Sequence, residues 1–329
     1  MRIVLIATCL FLGFTACSKV ELGPPQAFVT EYGLGPDKWA TAWLLTRHVN
    51  PKAALVVVDQ GAALPVGTPF DTPEAELRRI DARTAFEVTQ TTYAIEDPGV
   101  LHLVGVIRDI EVNFWGADRT PEAQIVESAF RSLQERYGRD AVAGECYLKF
   151  FDQVHAALAQ SPNPQTPLTP ASLAVNCDNE PSAPASSAVQ ELSIADLLVA
   201  MKQGKRVAFV DVREEEEFTE AHIPDALNLP LRHLNQEAIS ALKQADYVVS
   251  YCVKDFRGFE MAKALKLAGV EQSVILKPYG IKGWVTQGLP TVGSRALGRE
   301  EAIERLNQCV SLGRCPVWNT PAQSPAQKG

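Results

Sequence analysis

Between Ser161 and Val189 the chain reads SPNPQTPLTPASLAVNCDNEPSAPASSAV, six prolines among Ser, Ala and Asn with no apolar periodicity. Such a composition favours an extended, semi-rigid spacer over a compact element. The 329 residues are therefore read as two domains, about 130 residues before the linker (161–189) and about 110 after it, each of ordinary size.

The two sides are patterned differently. Before the linker, Asp37 to Val49 (DKWATAWLLTRHV) sets Trp39, Ala40, Trp43 and Leu44 on one apolar stripe at helical spacing, with Asp37 placed to cap it. Helical patterns follow at Thr84 to Ala94, Gly99 to Phe114, Pro121 to Tyr137 and Glu145 to Gln160, and Ala54 to Asp59 reads as a short buried strand. This side (28–160) is an α-rich α+β domain with one or two strands. After the linker, the apolar runs Val207 to Val212, Tyr247 to Tyr251 and Ser273 to Leu276 have strand length. Helical stretches lie at Ser193 to Lys202, Leu234 to Ala245 and Gly258 to Leu267. Strands that are apolar on both faces and alternate with helices predict a parallel α/β sheet flanked by helices, over 190–295. Residues 296–329 read as a C-terminal tail.

The amino terminus sets the compartment. Met1 to Ala16 (MRIVLIATCLFLGFTA) carries one Arg and an apolar run too short to span a bilayer, the build of a secretory signal. Phe14-Thr15-Ala16-Cys17 resembles the bacterial lipobox. That resemblance implies cleavage before Cys17, acylation of its thiol, a tether over 17–27 and, with Ser18 following, an outer-membrane anchor facing the periplasm. The formal charge of -8, from 31 cations and 39 acids, becomes 30 minus 39, or -9, once Arg2 leaves with the signal. Such acidity argues against nucleic acid as a partner.

Cysteine usage follows from the compartment. Cys9 is discarded and Cys17 acylated, leaving Cys146, Cys177, Cys252, Cys309 and Cys315. An oxidising periplasm permits disulfides, and an odd count leaves one thiol over. Cys309 with Cys315 and Cys146 with Cys177 are the pairings that leave Cys252 free; several free thiols are the alternative.

The strand YVVSY runs directly into Cys252-Val253-Lys254-Asp255-Phe256-Arg257-Gly258 and then into a helix. A thiol at the carboxyl end of a parallel strand, below a helix N-terminus, sits where open α/β sheets bind ligands. Unpaired amides there bind anions and lower a thiol pKa, and Arg257 adds a cation with a fork of donors. Cys252 is therefore expected as a thiolate. With VDVREEEEFTEAHIPDALNLP at Val210 to Pro230 and GIKGWVTQGLP at Gly280 to Pro290, the loop YCVKDFRG resembles that of the rhodanese family of sulfurtransferases.

The resemblance implies a rhodanese fold and ping-pong sulfur transfer. Cys252 and Arg257 would be catalytic, and Val253, Lys254, Asp255, Phe256 and Gly258 would form the substrate loop. Substrates would be a sulfur oxyanion donor such as thiosulfate and a thiol or cyanide-like acceptor, with no cofactor and no metal. Asp255 stands where the family has Gly, placing a carboxylate against an anionic donor; Ala221 and Asp225 also replace family glycines. Phosphatase or arsenate-reductase chemistry uses a similar cradle, but with a loop usually one residue longer.

In the first half, DKWATAWLLTRHVNPKA at Asp37 to Ala53, GTPFDTPEAELRR at Gly67 to Arg79, TAFEV at Thr84 to Val88 and DPGVLHLVGVIRDIEVN at Asp97 to Asn113 resemble the chromate-resistance domain of bacterial chromate-sensing regulators. This implies a link to oxyanion response. Arg47 and His48 are candidate oxyanion contacts; the simpler reading is a basic helix end complementing the helix dipole. The expected function is an envelope lipoprotein sulfurtransferase. The alternative is a catalytically silent oxyanion sensor, with a protein partner left open.

Overall fold

A computed structural model describes residues 26–113, 120–159, 168–180 and 189–318. The signal segment 1–16 and Cys17 lie outside the described residues.

The first half is built around β1 (Ala27–Glu31), followed by α1 (Pro36–Leu44), β2 (Ala54–Val58), β3 (Thr68–Pro69), α2 (Ala85–Thr92), α3 (Pro98–Glu111), α4 (Pro121–Tyr137) and α5 (Gly144–Ala159). The strands form a small parallel sheet in the order β2-β1-β3, with Val29 opposite Val56 and Pro69. The apolar run ALVVV marks β2 in the sequence, whereas β1, of equal length, reads AFVTE and is not a continuous apolar run. The apolar stripe of α1 is fully buried, and Trp39 stacks on Tyr147 with ring centroids 4.3 Å apart. Each tryptophan removes about 150–250 Å² from water, roughly 4–6 kcal/mol of apolar burial.

Asp37 does not cap its own helix. Gly35 is the N-cap of α1, while the Asp37 carboxylate accepts from the amides of Ala85 and Phe86, 2.9 Å each, and from Arg79 Nη2 at 2.9 Å. It thus closes the start of α2 and fixes α1 against it.

The second half is a five-stranded, all-parallel sheet in the order β4-β8-β7-β5-β6, comprising β4 (Gln190–Ser193), β5 (Val207–Asp211), β6 (Leu227–Asn228), β7 (Tyr247–Tyr251) and β8 (Ser273–Lys277). The three strands read from sequence are its centre, and Val249 pairs with Phe209 on one side and Val274 on the other. The helices are α6 (Ile194–Lys202), α7 (Glu215–Glu220), α8 (Gln236–Leu242), α9 (Phe256–Leu267), α10 (Gly280–Thr286) and α11 (Arg299–Leu312). Ser193 caps α6 through the Asp196 amide, 3.0 Å away. Residues 296–329, read as a tail, contain α11, which packs on α6 and buries Ala302, Leu306 and Cys309.

The linker also differs from a plain spacer. Its described part, 168–180, carries a one-turn 3-10 helix at Pro170–Leu173 against α4 and α5, and Leu173 and Cys177 are buried in the first core. Cys146 is bonded to Cys177 and Cys309 to Cys315; Cys252 is a free, buried cysteine.

Helix α9 serves both halves. Met261 and Leu265 pack into the cluster holding Val210, Val248 and Cys252, while Phe256, Phe259 and Ala262 enter the core of the first half. Having apolar residues on two faces, it is covered on both.

Candidate active site

Cys252 follows the last residue of β7, and α9 begins four residues later, so the loop stands at the carboxyl edge of the sheet. Two close approaches hold it there. A Cβ on Gly258 would come within 3.0 Å of the Ser250 carbonyl and the Tyr251 Cα, so only glycine lets α9 lie this near β7. At Gly280, with φ of +62°, a Cβ would meet the Cys252 carbonyl at 2.6 Å and overlap that of Lys254. The start of α10 then grips the loop: the amides of Ile281 and Lys282 donate to the carbonyls of Cys252 and Val253 at 2.9 and 3.1 Å.

The Cys252 residue is 2% exposed. Burial pushes its thiol up to about 11, outweighing the Arg257 cation and the Gly258 amide that favour the thiolate; Glu111 and Asp255 push it further up. The thiolate expected from the helix N-terminus is thus not the form held in this conformation, because desolvation of the anion exceeds what one cation and one amide return.

Arg257 is fully engaged on one side. It forms a fork on Glu217 of α7, 3.0 Å from Nη1 to Oε2 and 3.0 Å from Nη2 to Oε1, and Nη2 donates to the Glu111 carbonyl at 2.8 Å. Burial raises the Glu217 carboxyl, but Arg257 outweighs it and holds Glu217 below its ordinary range. Asp211 fixes buried Arg213 in a similar fork, 2.9 and 2.6 Å, which is structural.

The rest of the expected substrate loop faces the first half. The Asp255 carboxylate, 0% exposed, accepts from Arg131 Nη2 at 2.6 Å and Nη1 at 3.2 Å, and from Arg139 Nη2. Lys254 pairs with Glu127 of α4. The ring of Phe256 meets Phe130 edge-on, and the Arg131 guanidinium lies 4.5 Å above it. The sequence reading set Asp255 against a donor anion. Its partners are instead two arginines of the other domain, and its φ of −138° needs no glycine. Asp225, by contrast, does occupy a left-handed conformation at φ +59°.

Glu111, Glu127, Arg131, Arg139 and Glu217 were not singled out from sequence. Glu217 could have been, as the residue three after the Glu214 N-cap in a capping-box pattern. The contacts from the first half carry no local signal. Arg47 and His48 are not brought to this site. Arg47 Nε and Nη2 each bond Asp152 at 3.1 Å. His48 packs between Trp43 and His155, with burial and His155 lowering its pKa. Both are engaged within the first half, Arg47 with Asp152 and His48 with its aromatic neighbours.

Two family models match the chain: ChrB, C-terminal domain, over residues 28–158, and Rhodanese-like domain, over residues 194–287. An uncharacterized protein of Synechocystis is 40% identical over 114 residues, 34% of this chain and 62% of that one, so the chain spans less than two thirds of it. A sulfurtransferase of Allochromatium vinosum is 32% identical over 104 residues, 32% of this chain and 95% of the relative. A thiosulfate:glutathione sulfurtransferase of Saccharomyces cerevisiae is 30% identical over 115 residues, 31% of this chain and 82% of the relative. Among solved structures, the BH2092 protein of Bacillus halodurans aligns at 25% identity over 35% of this chain and 89% of its own, with a TM-score of 0.29. With a ChrB-type domain matched ahead of its parallel sheet, the chain belongs through its second half to the rhodanese-like family.

Proposed function

We propose that the protein is a sulfurtransferase that carries sulfane sulfur on Cys252. The observation that carries this reading is the six-residue loop from Cys252 to Arg257, set between β7 and α9, with the Gly258 amide directed at the thiol. The Cys252 thiolate attacks the outer sulfur of a donor such as thiosulfate, the sulfur–sulfur bond of the donor breaks, and sulfite departs with the electron pair. The persulfide then passes its outer sulfur to a thiol or cyanide, restoring the Cys252 thiolate. Arg257 and the first-turn amides of α9 stabilise the departing oxyanion.

The raised thiol pKa and the contacts from the first half favour a two-state cycle. In the closed state described here Cys252 is protonated and shielded; loosening the contacts at Lys254, Asp255 and Arg257 rehydrates the loop and lowers the thiol pKa. The ChrB-type domain would control that step in response to an oxyanion. The same shielding supports a second reading, a silent oxyanion sensor that never turns over. We also propose that the protein is exported and anchored through Cys17 on the periplasmic face of the outer membrane, which agrees with two disulfides.

Intact-mass measurement after incubation with thiosulfate should show a gain of one sulfur atom, removable by cyanide and absent in Cys252→Ser. If no sulfane donor adds sulfur, while chromate or sulfate raises the melting temperature, the sensor reading replaces the enzyme.

A further inference from the structure

A cavity of about 110 Å³ lies where the two halves meet, with Gly35, Arg79 and Glu111 on one side and Val212, Arg232 and Arg257 on the other. That is far above the ~10–15 Å³ one water needs. Cys252 is not on its wall, but Arg257 and Val212 are; Val212 shares the apolar cluster of Cys252, and the charges of Arg257 and Glu111 act on the thiol.

Unmet hydrogen-bonding capacity is concentrated here. Among the described residues ten buried side-chain polar atoms have no hydrogen-bond partner, and five of them belong to residues lining this cavity: Thr72 Oγ1, Arg78 Nε, Arg79 Nη1, Glu111 Oε1 and Arg257 Nε. Native interiors leave few such atoms unsatisfied, so the cluster marks this cavity as a place equipped to receive hydrogen-bonding partners. Three are guanidinium donors and one is a carboxyl acceptor. Gly35 keeps the acceptor accessible, since a Cβ there would stand 3.0 Å from Glu111 Oε1.

Charge selects the kind of ligand. The lining has five cations and five acids, and Lys38, Arg79, Arg232 and Arg257 are each already paired with a carboxylate. With those four charges offset by their own carboxylate partners, a bare dianion meets little uncommitted positive charge. A molecule with both an anionic and a cationic group would satisfy donors and acceptor together.

Building on the sulfurtransferase reading, we propose that this cavity is the acceptor site for a small zwitterionic amino-acid thiol, its carboxylate received by Arg79 and Arg257 and its ammonium group by Glu111. The thiol loses its proton to solvent and, once the contacts at Lys254, Asp255 and Arg257 loosen and open the cavity to Cys252, its thiolate attacks the outer sulfur of the Cys252 persulfide. That sulfur–sulfur bond breaks, Cys252 keeps the electron pair as thiolate, and a new bond leaves the sulfur on the acceptor. Burial pushes the Glu111 carboxyl up, so an arriving ammonium group supplies the charge that stabilises its ionised form.

The test uses the full chain, loaded with thiosulfate and checked by mass for the Cys252 persulfide. Discharge is then timed with cysteine, with cysteamine (no carboxylate) and with 3-mercaptopropionate (no ammonium), at equal thiolate concentrations. Cysteine should reach half-maximal rate at a concentration at least tenfold below either analogue, and Glu111→Gln should collapse its advantage over 3-mercaptopropionate. Equal half-maximal concentrations for the three overturn the proposal while leaving the sulfurtransferase intact. If no persulfide forms, the functional reading fails and the cavity is judged alone, by thermal shift with 2-aminobutyrate, propylamine and butyrate. A rise confined to 2-aminobutyrate supports the zwitterion site; no rise, or an equal one, overturns it.

Discussion

Replacing Asp255 by Asn should loosen the two halves around Cys252 without removing anything from the reacting groups. The wild-type carboxylate is wholly buried and receives two bonds from Arg131, 2.6 and 3.2 Å, and another from Arg139. Hydrogen bonds to charged groups contribute about 1.5–3 kcal/mol each, and breaking a buried ion pair from one side costs about 3–5 kcal/mol. Asn keeps one acceptor oxygen, and the two arginine side chains are 23% and 26% exposed, so water takes over part of the loss. The lower end, about 3 kcal/mol, is the appropriate figure. At 1.4 kcal/mol per factor of ten, the open fraction rises roughly 100-fold. Alkylation of Cys252 by a neutral reagent, followed by peptide mass, reads that fraction directly, because the other described cysteines are in disulfides. Wild-type protein should label far more slowly than the unfolded chain, and Asp255→Asn about 100-fold faster than wild type while retaining a cooperative melt. A folded Asp255→Asn protein that labels within threefold of wild type would refute the coupling. So would a wild type that labels as fast as the unfolded chain.

Two further expectations concern stability. The Cys252 thiol is raised from 9.0 to about 11 by burial, so the folded state holds its proton more tightly than the unfolded one. Its contribution is complete below pH 9 and is lost as pH rises towards 11, by up to about 1.4 kcal/mol per pH unit; denaturant melts of wild type should show this slope and Cys252→Ser should lack it. The Cys146–Cys177 bond spans 31 residues and Cys309–Cys315 spans six. Chain entropy assigns these about 3.7 and 2.2 kcal/mol. Cys146→Ser with Cys177→Ser should therefore lower the denaturant midpoint more than the corresponding change at Cys309 and Cys315.

Elements with a strong period or a local signature were legible in the chain. The buried strands Val207 to Asp211, Tyr247 to Tyr251 and Ser273 to Lys277, the Ser193 cap and the long helices of the first half lie close to where their patterns place them. The two-residue strand Leu227–Asn228 and the strand Ala27–Glu31, whose AFVTE is not a continuous apolar run, were not, since they gain their identity from pairing with a distant strand. The helix at Arg299–Leu312 has the polar composition of a tail; burial of Ala302, Leu306 and Cys309, with the helix packed on Ile194–Lys202, makes it part of the fold. Asp255 shows the limit most clearly. Its neighbours in sequence suggested an anion site, yet the arginines it meets lie 116 and 124 residues earlier.

By itself the sequence determined the parallel sheet, the loop from Cys252 to Arg257 and the cysteine pairs, because each depends on periodicity, turn chemistry or short spacing. The tertiary structure alone decided the state of that loop. Whether a thiol under a helix N-terminus is ionised depends on what covers it, and here the cover is the other domain: Phe130 against Phe256, Arg131 and Arg139 on Asp255, Glu111 beside Arg257. Desolvation and long-range pairing are properties of assembled surfaces, and no window along the chain contains them.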